Sequence, residues 1–359
     1  MIHHGSKQDP AQSANAVMAA PLTHQFPAFP ASWYLFCRAD QLSKPLSKRI
    51  LGRQLVAFKT RSGKVSVMAA NCSHMGADLG CGVVVGESIQ CPFHNWKYGA
   101  DGVCHHIPGA NSIPAFARQV NYPVEERHGY VFFFNGPEAL FPLPFFDGEN
   151  PADFKAGRVF SNIAQAEWFM VAAQGFDAQH FQTVHDRRLL QPPQIDSPSP
   201  FARRNRWLAE IIGEETRDRV LRILVGKTVN LTITNWGGTI FTVKAEFPRA
   251  CSRFLVFFRP LEGKQTQFDA IVYSRCGSSS LGLVARRWFT RGHLFAENKK
   301  IRDTQYRPTH FVSADADMIE CFKWLAELPQ FPLSSQSHGQ AITRTTDASD
   351  IKTLTELIL

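Results

Sequence analysis

The sequence predicts an α+β protein in two parts, a small all-β domain followed by an antiparallel sheet with helices to one side. Three observations carry this. Short β-branched and aromatic runs, punctuated by Gly and Pro, fill residues 30 to 140. Two longer runs, "VNLTITNWGGTIFTVKAEF" and "SRFLVFFRPLEGKQTQFDAIVYSR", read as hairpins turning at Gly237-Gly238 and around Gly263. Helical stretches flank these hairpins at about 168–188 and 311–328.

Taken in order, residues 1–30 are rich in Pro, Ala, Ser and Gln and lack the continuous apolar core of a secretory signal, so they read as a loose arm. Residues 31–145 form the first domain. "RILGRQLVAFKTRSGKVSVMAA" reads there as two strands joined at "RSGK", and "ESIQC", "GVCHHIP" and "GYVFFFNG" continue the short-strand rhythm. "PEALFPLPFFDGENPADF" is the crossing into a second domain over 146–330, and 331–359 is a polar tail.

Composition narrows the function. With 44% hydrophobic and 19% charged residues, the 359-residue chain has a globular rather than a disordered balance. The net charge of +8 is scattered: "RDRVLRILVGK" and "KKIRDTQYR" are interrupted by Asp and apolar residues. They read as solvated faces, so no nucleic-acid partner is expected, although the charge suits an acidic electron-transfer partner. No apolar run reaches about eighteen residues, so neither a membrane span nor a membrane partner is expected. Eight Cys in a chain of this length point to a reducing compartment, the cytoplasm by default.

The chemistry concentrates in "CSHMGADLGCGVVVGESIQCPFHNWKYG", which holds Cys72, His74, Cys91 and His94 as C-x-H, sixteen residues, C-x-x-H. Unconnected thiols and imidazoles would not produce two such matched pairs in Gly-rich turns. Zinc fingers generally pair Cys with Cys and His with His, whereas each pair here is mixed. A Rieske [2Fe–2S] cluster needs this mixture, with Cys72 and Cys91 on one iron and His74 and His94 on the other. Neutral imidazoles disfavour reduction less than thiolates do, which raises the potential to about −150 to +300 mV from about −400 mV. Gly76, Gly80 and Gly99 permit tight loops and Pro92 stiffens one. Cys81 reads as a small buried hydrophobe, and Cys104, His105 and His106 as strand and loop residues.

These motifs resemble the Rieske domain of the Rieske non-heme iron oxygenases. "ASWYLFCRADQL" and "CPFHNWKY…HIPG" are most similar to the aminopyrrolnitrin oxygenase branch. The likeness is strong over about 31–136 and patchy to about 330. It implies a second, mononuclear iron, and "QGFDAQHFQTVHD" resembles the family's motif for it, with His180 and His185 as ligands. Residues five apart on a regular helix differ by about 140°, so this pair can share a metal only where the helix breaks or widens.

The third ligand, a carboxylate, is expected from "FVSADADMIECFKWLAEL". Asp315 is in phase with the apolar stripe of Ile319 and Phe322, and the resemblance also favours it. Asp317 and a plain helix-capping role for Asp315 stay open. By resemblance, Asp177 hydrogen-bonds an iron-ligating His and, across a subunit boundary, a Rieske His, which implies a homotrimer. Many relatives have Asn where this chain has Gln174.

The expected activity is that of a terminal oxygenase. Electrons from NAD(P)H would arrive through a separate reductase, with or without a ferredoxin, and O2 and Fe(II) would oxidise an apolar or aromatic small molecule by hydroxylation, N-oxygenation, demethylation or desaturation. No Gly-rich dinucleotide fingerprint is evident. Two rivals stand beside it: an electron carrier or redox sensor using only the cluster, and a zinc-bearing binding protein.

Overall fold

Residues 24–331 are described by a computed structural model, so the expected arm over 1–30 and tail over 331–359 lie almost wholly outside the described residues. The first domain opens with β1 (Trp33–Arg38), β2 (Leu46–Ile50), β3 (Arg53–Lys59) and β4 (Val65–Ala69). The short strands β5 (Val83–Val85), β6 (Ser88–Gln90), β7 (Lys97–Gly99) and β8 (Cys104–His106) form a sheet of their own. Then β9 (Asn121–Tyr122) returns to β4, and β10 (Val124–Arg127) and β11 (Tyr130–Phe134) pair beside β1. The β5–β8 sheet is therefore an insertion between two neighbouring strands.

One expectation is corrected. "RILGRQLVAFK" is not one strand, because Leu51 and Gly52 take positive φ (51° and 74°) and turn the chain in two residues, so that Ile50 pairs with Arg53. Leu is an uncommon first residue in such a turn, which hides the signal.

Packing follows the two-residue period of a strand. On β3, Leu55 and Ala57 join the core with Tyr34, Val131 and Phe133, while Val56 and Phe58 face the inserted sheet and Tyr98. The run "YVFFF" is apolar throughout because β11 is covered twice: Val131 and Phe133 face inward, and Tyr130, Phe132 and Phe134 face the second domain. The crossing segment is pinned to it. The Trp33 indole N–H donates to the Phe141 carbonyl (2.8 Å), and the Tyr130 hydroxyl donates to the Gly157 carbonyl (2.8 Å).

The second domain begins with β12 (Phe154–Ala156), β13 (Phe160–Ala164), α1 (Trp168–Ala173) and α2 (Ala178–Thr183). It continues with β14 (Arg187–Leu189), β15 (Gln194–Ser199), β16 (Ala202–Ile211) and α3 (Thr216–Val225). The long strands β17 (Thr228–Trp236), β18 (Ile240–Phe247), β19 (Ala250–Leu261) and β20 (Gln265–Arg275) follow, then α4 (Ser280–Lys300) and α5 (Ala316–Ala326). The nine strands make one antiparallel sheet, ordered β12-β20-β19-β18-β17-β16-β14, with β13 on β20 and β15 on β16.

Both faces of this sheet are covered. Leu255 and Phe257 pack on Phe132 of the first domain, while Val256 and Phe258 pack on the α4 side with Leu283, Leu294 and Phe295. The expected single helix over 168–188 is instead two short helices separated by a tight turn. Neither α3 nor the 21-residue α4 was expected from the sequence. Among the described residues, no helix is long and apolar enough to cross a membrane.

The expected hairpin turn at Gly237-Gly238 is present, with φ of 54° and 74°. A Cβ on Gly238 would lie 2.6 Å from Leu328 and 2.8 Å from Trp168. Gly238→Ala therefore combines backbone strain with a clash against the α1–α5 packing. We expect a loss of about 1–3 kcal/mol in denaturant melts; an unchanged midpoint would mean that this turn is not tightly held.

Candidate metal centres

The first centre sits at the tip of the inserted sheet. Cys72 follows β4 in a loop closed on itself: its N–H donates to the Ala77 carbonyl (2.9 Å), and the Gly76 N–H donates back to the Cys72 carbonyl (2.8 Å). Gly76 sits at φ 78°, where a side chain would be strained. The second loop is the β6–β7 connection, in which the Cys91 N–H donates to the Trp96 carbonyl (2.8 Å) and Asn95 takes φ 58°. Both Cys are buried. The His74 ring lies 4.7 Å from that of His94 and stacks on Trp96 (4.5 Å, 5° between planes).

The Tyr98 hydroxyl lies 3.0 Å from Cys72 Sγ and 3.0 Å from Ser73 Oγ. Burial pushes the Cys72 thiol up. Tyr98 and the His74 N–H pull it back, and Cys91 close by pushes it up further. A bound cation reverses that balance by stabilising both thiolates. Two buried thiols with two accessible imidazoles over them fit a cluster with Cys on its inner iron and His on its outer one. Cys104 is buried on β8, with His105 and His106 exposed beside it; Cys81, expected to be buried, is exposed. Its turn buries Leu79 against Val56 and Phe58 and is bonded to Ser47 through Asp78, which leaves Cys81 on the outside.

The second centre depends on a helix that stops. Asp177 caps α2, its Oδ1 accepting the His180 N–H at 2.9 Å. The helix ends at Thr183, the Val184 N–H donates to the His180 carbonyl, and Asp186 takes φ 52° before β14 begins. His185 is thereby swung off the helical path, and His180 Nε2 and His185 Nε2 come within 3.1 Å. The swing is held from two sides. Arg187 donates to the His185 carbonyl (2.6 Å) while bonded to buried Asp218 (2.9 Å), and Lys300 donates to the Val184 carbonyl (2.9 Å).

Among the described residues, the carboxylate that the structure places beside this pair is Glu297 of α4, where the sequence pointed to Asp315. Glu297 Oε1 is 3.4 Å from His180 Nε2, and the three prospective ligand atoms lie within 4.8 Å of one another. Asp315 instead sits at the N-cap position of α5, with no side-chain bond to that helix. One oxygen accepts from the Gln179 amide (2.7 Å) and the other from the Val312 N–H (2.9 Å), which satisfies its polarity without a metal. Asp317 lies in the first turn of α5 and is not part of the His180, His185 and Glu297 group.

Electrostatics favours cation binding. Burial and His293, stacked on His185 at 4.4 Å, push His185 down to about 2, and burial with the Arg187 charge pushes His293 down to about 3. Burial alone would raise Glu297, but His180 and His185 hold it below the usual carboxylate range. Two imidazoles and one carboxylate form a 2-His-1-carboxylate donor set. Glu297 and His293 are spaced i, i+4 in "HLFAE", a legible ligand-like pair in a helix that had not been predicted.

Beside these residues a cavity of about 440 Å³ opens between the sheet, α3 and α4, walled by groups such as Leu231, Phe241, Val243, Phe258 and Phe268. Its lining also includes Gln174, Trp207 and Asn298, and the buried atoms Gln174 Oε1, Trp207 Nε1 and Asn298 Nδ2 have no protein partner.

Residues 32–117 match the Rieske [2Fe-2S] domain family. The chain is 37% identical over 168 residues to aminopyrrolnitrin oxygenase PrnD of Pseudomonas fluorescens, covering 43% of this chain and 46% of that protein. It is 36% identical over 118 residues to a 3-ketosteroid-9-alpha-monooxygenase oxygenase component of Rhodococcus rhodochrous, covering 32% of this chain and 31% of that protein. The matched stretches thus span less than half of these relatives. Among solved structures, Pseudomonas putida CBB5 NdmB superposes with a TM-score of 0.62 at 18% identity, covering 85% of this chain and 92% of its own. Dicamba monooxygenase bound to 3,6-dichlorosalicylic acid superposes at 0.61 and 18%, covering 84% and 98%. The chain therefore carries a Rieske [2Fe–2S] domain at residues 32–117, in a polypeptide with the overall fold of the Rieske oxygenases of known structure.

Proposed function

We propose that this chain is the terminal oxygenase component of a Rieske non-heme iron system. The observation that carries the proposal is the convergence of His180, His185 and Glu297 at an apolar cavity, in a chain that also carries the Cys72, His74, Cys91 and His94 quartet. When bound, a Rieske cluster supplies single electrons and a 2-His-1-carboxylate iron supplies oxygen activation.

The protein's part is binding and placement. The aromatic and aliphatic walls select an apolar molecule and exclude water. Relatives named for aminopyrrolnitrin, a 3-ketosteroid, cholesterol and tert-butanol agree with a largely apolar small molecule. Reducing equivalents would come from NAD(P)H through a separate reductase, with or without a ferredoxin. Asp177 is the expected link between the centres across the subunits of a homotrimer, since its residue lies directly against the His180 backbone. The six cysteines outside the quartet, none of them in a disulfide, agree with a reducing, cytoplasmic setting.

The carboxylate assignment has a direct test. Glu297→Ala is expected to lose the mononuclear iron and substrate oxidation while keeping the cluster's EPR signal; Asp315→Ala is expected to keep both metals. Iron and sulfide analysis of the two variants decides it, and iron loss in the Asp315 variant alone would reverse the assignment. Asp177→Asn is expected to keep both metals yet lower turnover by about 10- to 100-fold; turnover equal to wild type would remove Asp177 from the electron path. Tyr98→Phe withdraws a hydroxyl from Cys72 and is expected to shift the cluster potential downward in protein-film voltammetry. An unshifted potential would show that the hydroxyl does not act on the sulfur.

A further inference from the structure

The cavity opens on an apolar collar that the oxygenase reading does not use. Along α4, Leu281, Val284 and Trp288 recur at i, i+3 and i+7 and are 80%, 63% and 68% exposed. On α3, Ile223 and Leu224 are 73% and 57% exposed. Leu224 also lines the cavity, as do Ala285 and Phe289 on α4, so both stripes lie on helices that wall it. The other faces of α4 are occupied: Leu283, Leu294 and Phe295 pack on the sheet, and His293 and Glu297 face the metal site.

Charge accompanies the stripe. From Ser280 to Ala296, α4 carries Arg286, Arg287 and Arg291 and no acid. Arg291 is exposed and rests on the Phe295 ring (4.8 Å), Arg287 lies over Phe160 (5.5 Å) and donates to the Arg158 carbonyl (2.7 Å), and Arg286 lines the cavity and has no ion pair among the described residues. The acids on the α3 side, Glu214 and Glu215, lie against Arg219, Arg222 and Arg217 and add no uncompensated negative charge there.

We propose that this collar docks the protein on an anionic lipid bilayer. The exposed apolar side chains enter the headgroup region, the three arginines meet lipid phosphates, and the cavity mouth faces the membrane that dissolves its apolar ligand. A helix with Trp, Leu and Val on one face and Arg beside them is the composition of a segment lying in the interface. The lack of a spanning helix does not oppose this mode, and the sequence-based expectation of no membrane partner rested on spans alone. A partner protein and a second copy of this chain are the competing occupants. Lipid is favoured because apolar exposure, cationic excess and the opening of an apolar cavity coincide on one surface.

The test is flotation of the metal-loaded protein with phosphatidylcholine–phosphatidylglycerol vesicles, alongside a Val284→Asp/Trp288→Asp variant altered only at exposed positions. Wild type should float with the vesicles, and the variant's bound fraction should fall about tenfold while its iron and cluster absorbance stay unchanged. Wild type left at the bottom of the gradient, or a variant that floats equally well, overturns the proposal. Equal flotation on pure phosphatidylcholine overturns the anionic assignment. A smaller sedimentation coefficient in the variant, without flotation of wild type, assigns the face to contact between copies instead. Flotation is read without turnover, so this result and the oxygenase proposal can fail separately.

Discussion

The structure depends on a long antiparallel sheet that buries both of its faces. Alternate residues of β19 commit to opposite sides, Leu255 and Phe257 to the first domain and Val256 and Phe258 to the α4 side. Removing either layer would expose a row of aromatic side chains to water, each worth roughly 1.5–3 kcal/mol when buried. The two domains therefore share one core through Phe132, Phe134 and Phe141 rather than meeting across a wet interface. Covering the second face requires a helix, and α4 brings Glu297 and His293 against His180 and His185 as it supplies that cover.

Within this frame the second centre is a problem of angle. An intact helix would hold His180 and His185 well apart around its axis. Ending α2 at Thr183 and passing Asp186 through a positive φ removes the obstacle. The distortion is held by the buried Arg187–Asp218 pair, of the kind whose one-sided removal costs about 3–5 kcal/mol. At the first centre two turns place the thiols beneath and the imidazoles above, and Trp96 holds the His74 ring flat.

Much of this was legible in the sequence because it was written in short-range patterns. The C-x-H and C-x-x-H pairs, the Gly237-Gly238 turn and the alternation of "FLVFF" each depend on a few neighbouring residues. The required break between His180 and His185 could be deduced from helix geometry alone. Asp315 could not be judged that way: its phase with Ile319 and Phe322 is real, but what an Asp one residue before a helix bonds depends on the fold, here on Gln179, which lies 136 positions away. Glu297 was hidden because α4 carries Gly282 and Gly292 and an exposed apolar stripe, which blur its periodicity. Leu51 concealed a tight turn because Leu seldom occupies a positive φ.

The central claim is that one chain holds two metal centres, the second on His180, His185 and Glu297. Anomalous diffraction at the iron edge from crystals of the metal-loaded protein tests it most directly. The account predicts density at the Cys72–His74–Cys91–His94 tip and a separate peak between the two imidazoles and the Glu297 carboxylate. A single iron site at the tip, or a second peak seated on Asp315 with Glu297 turned away, would contradict it.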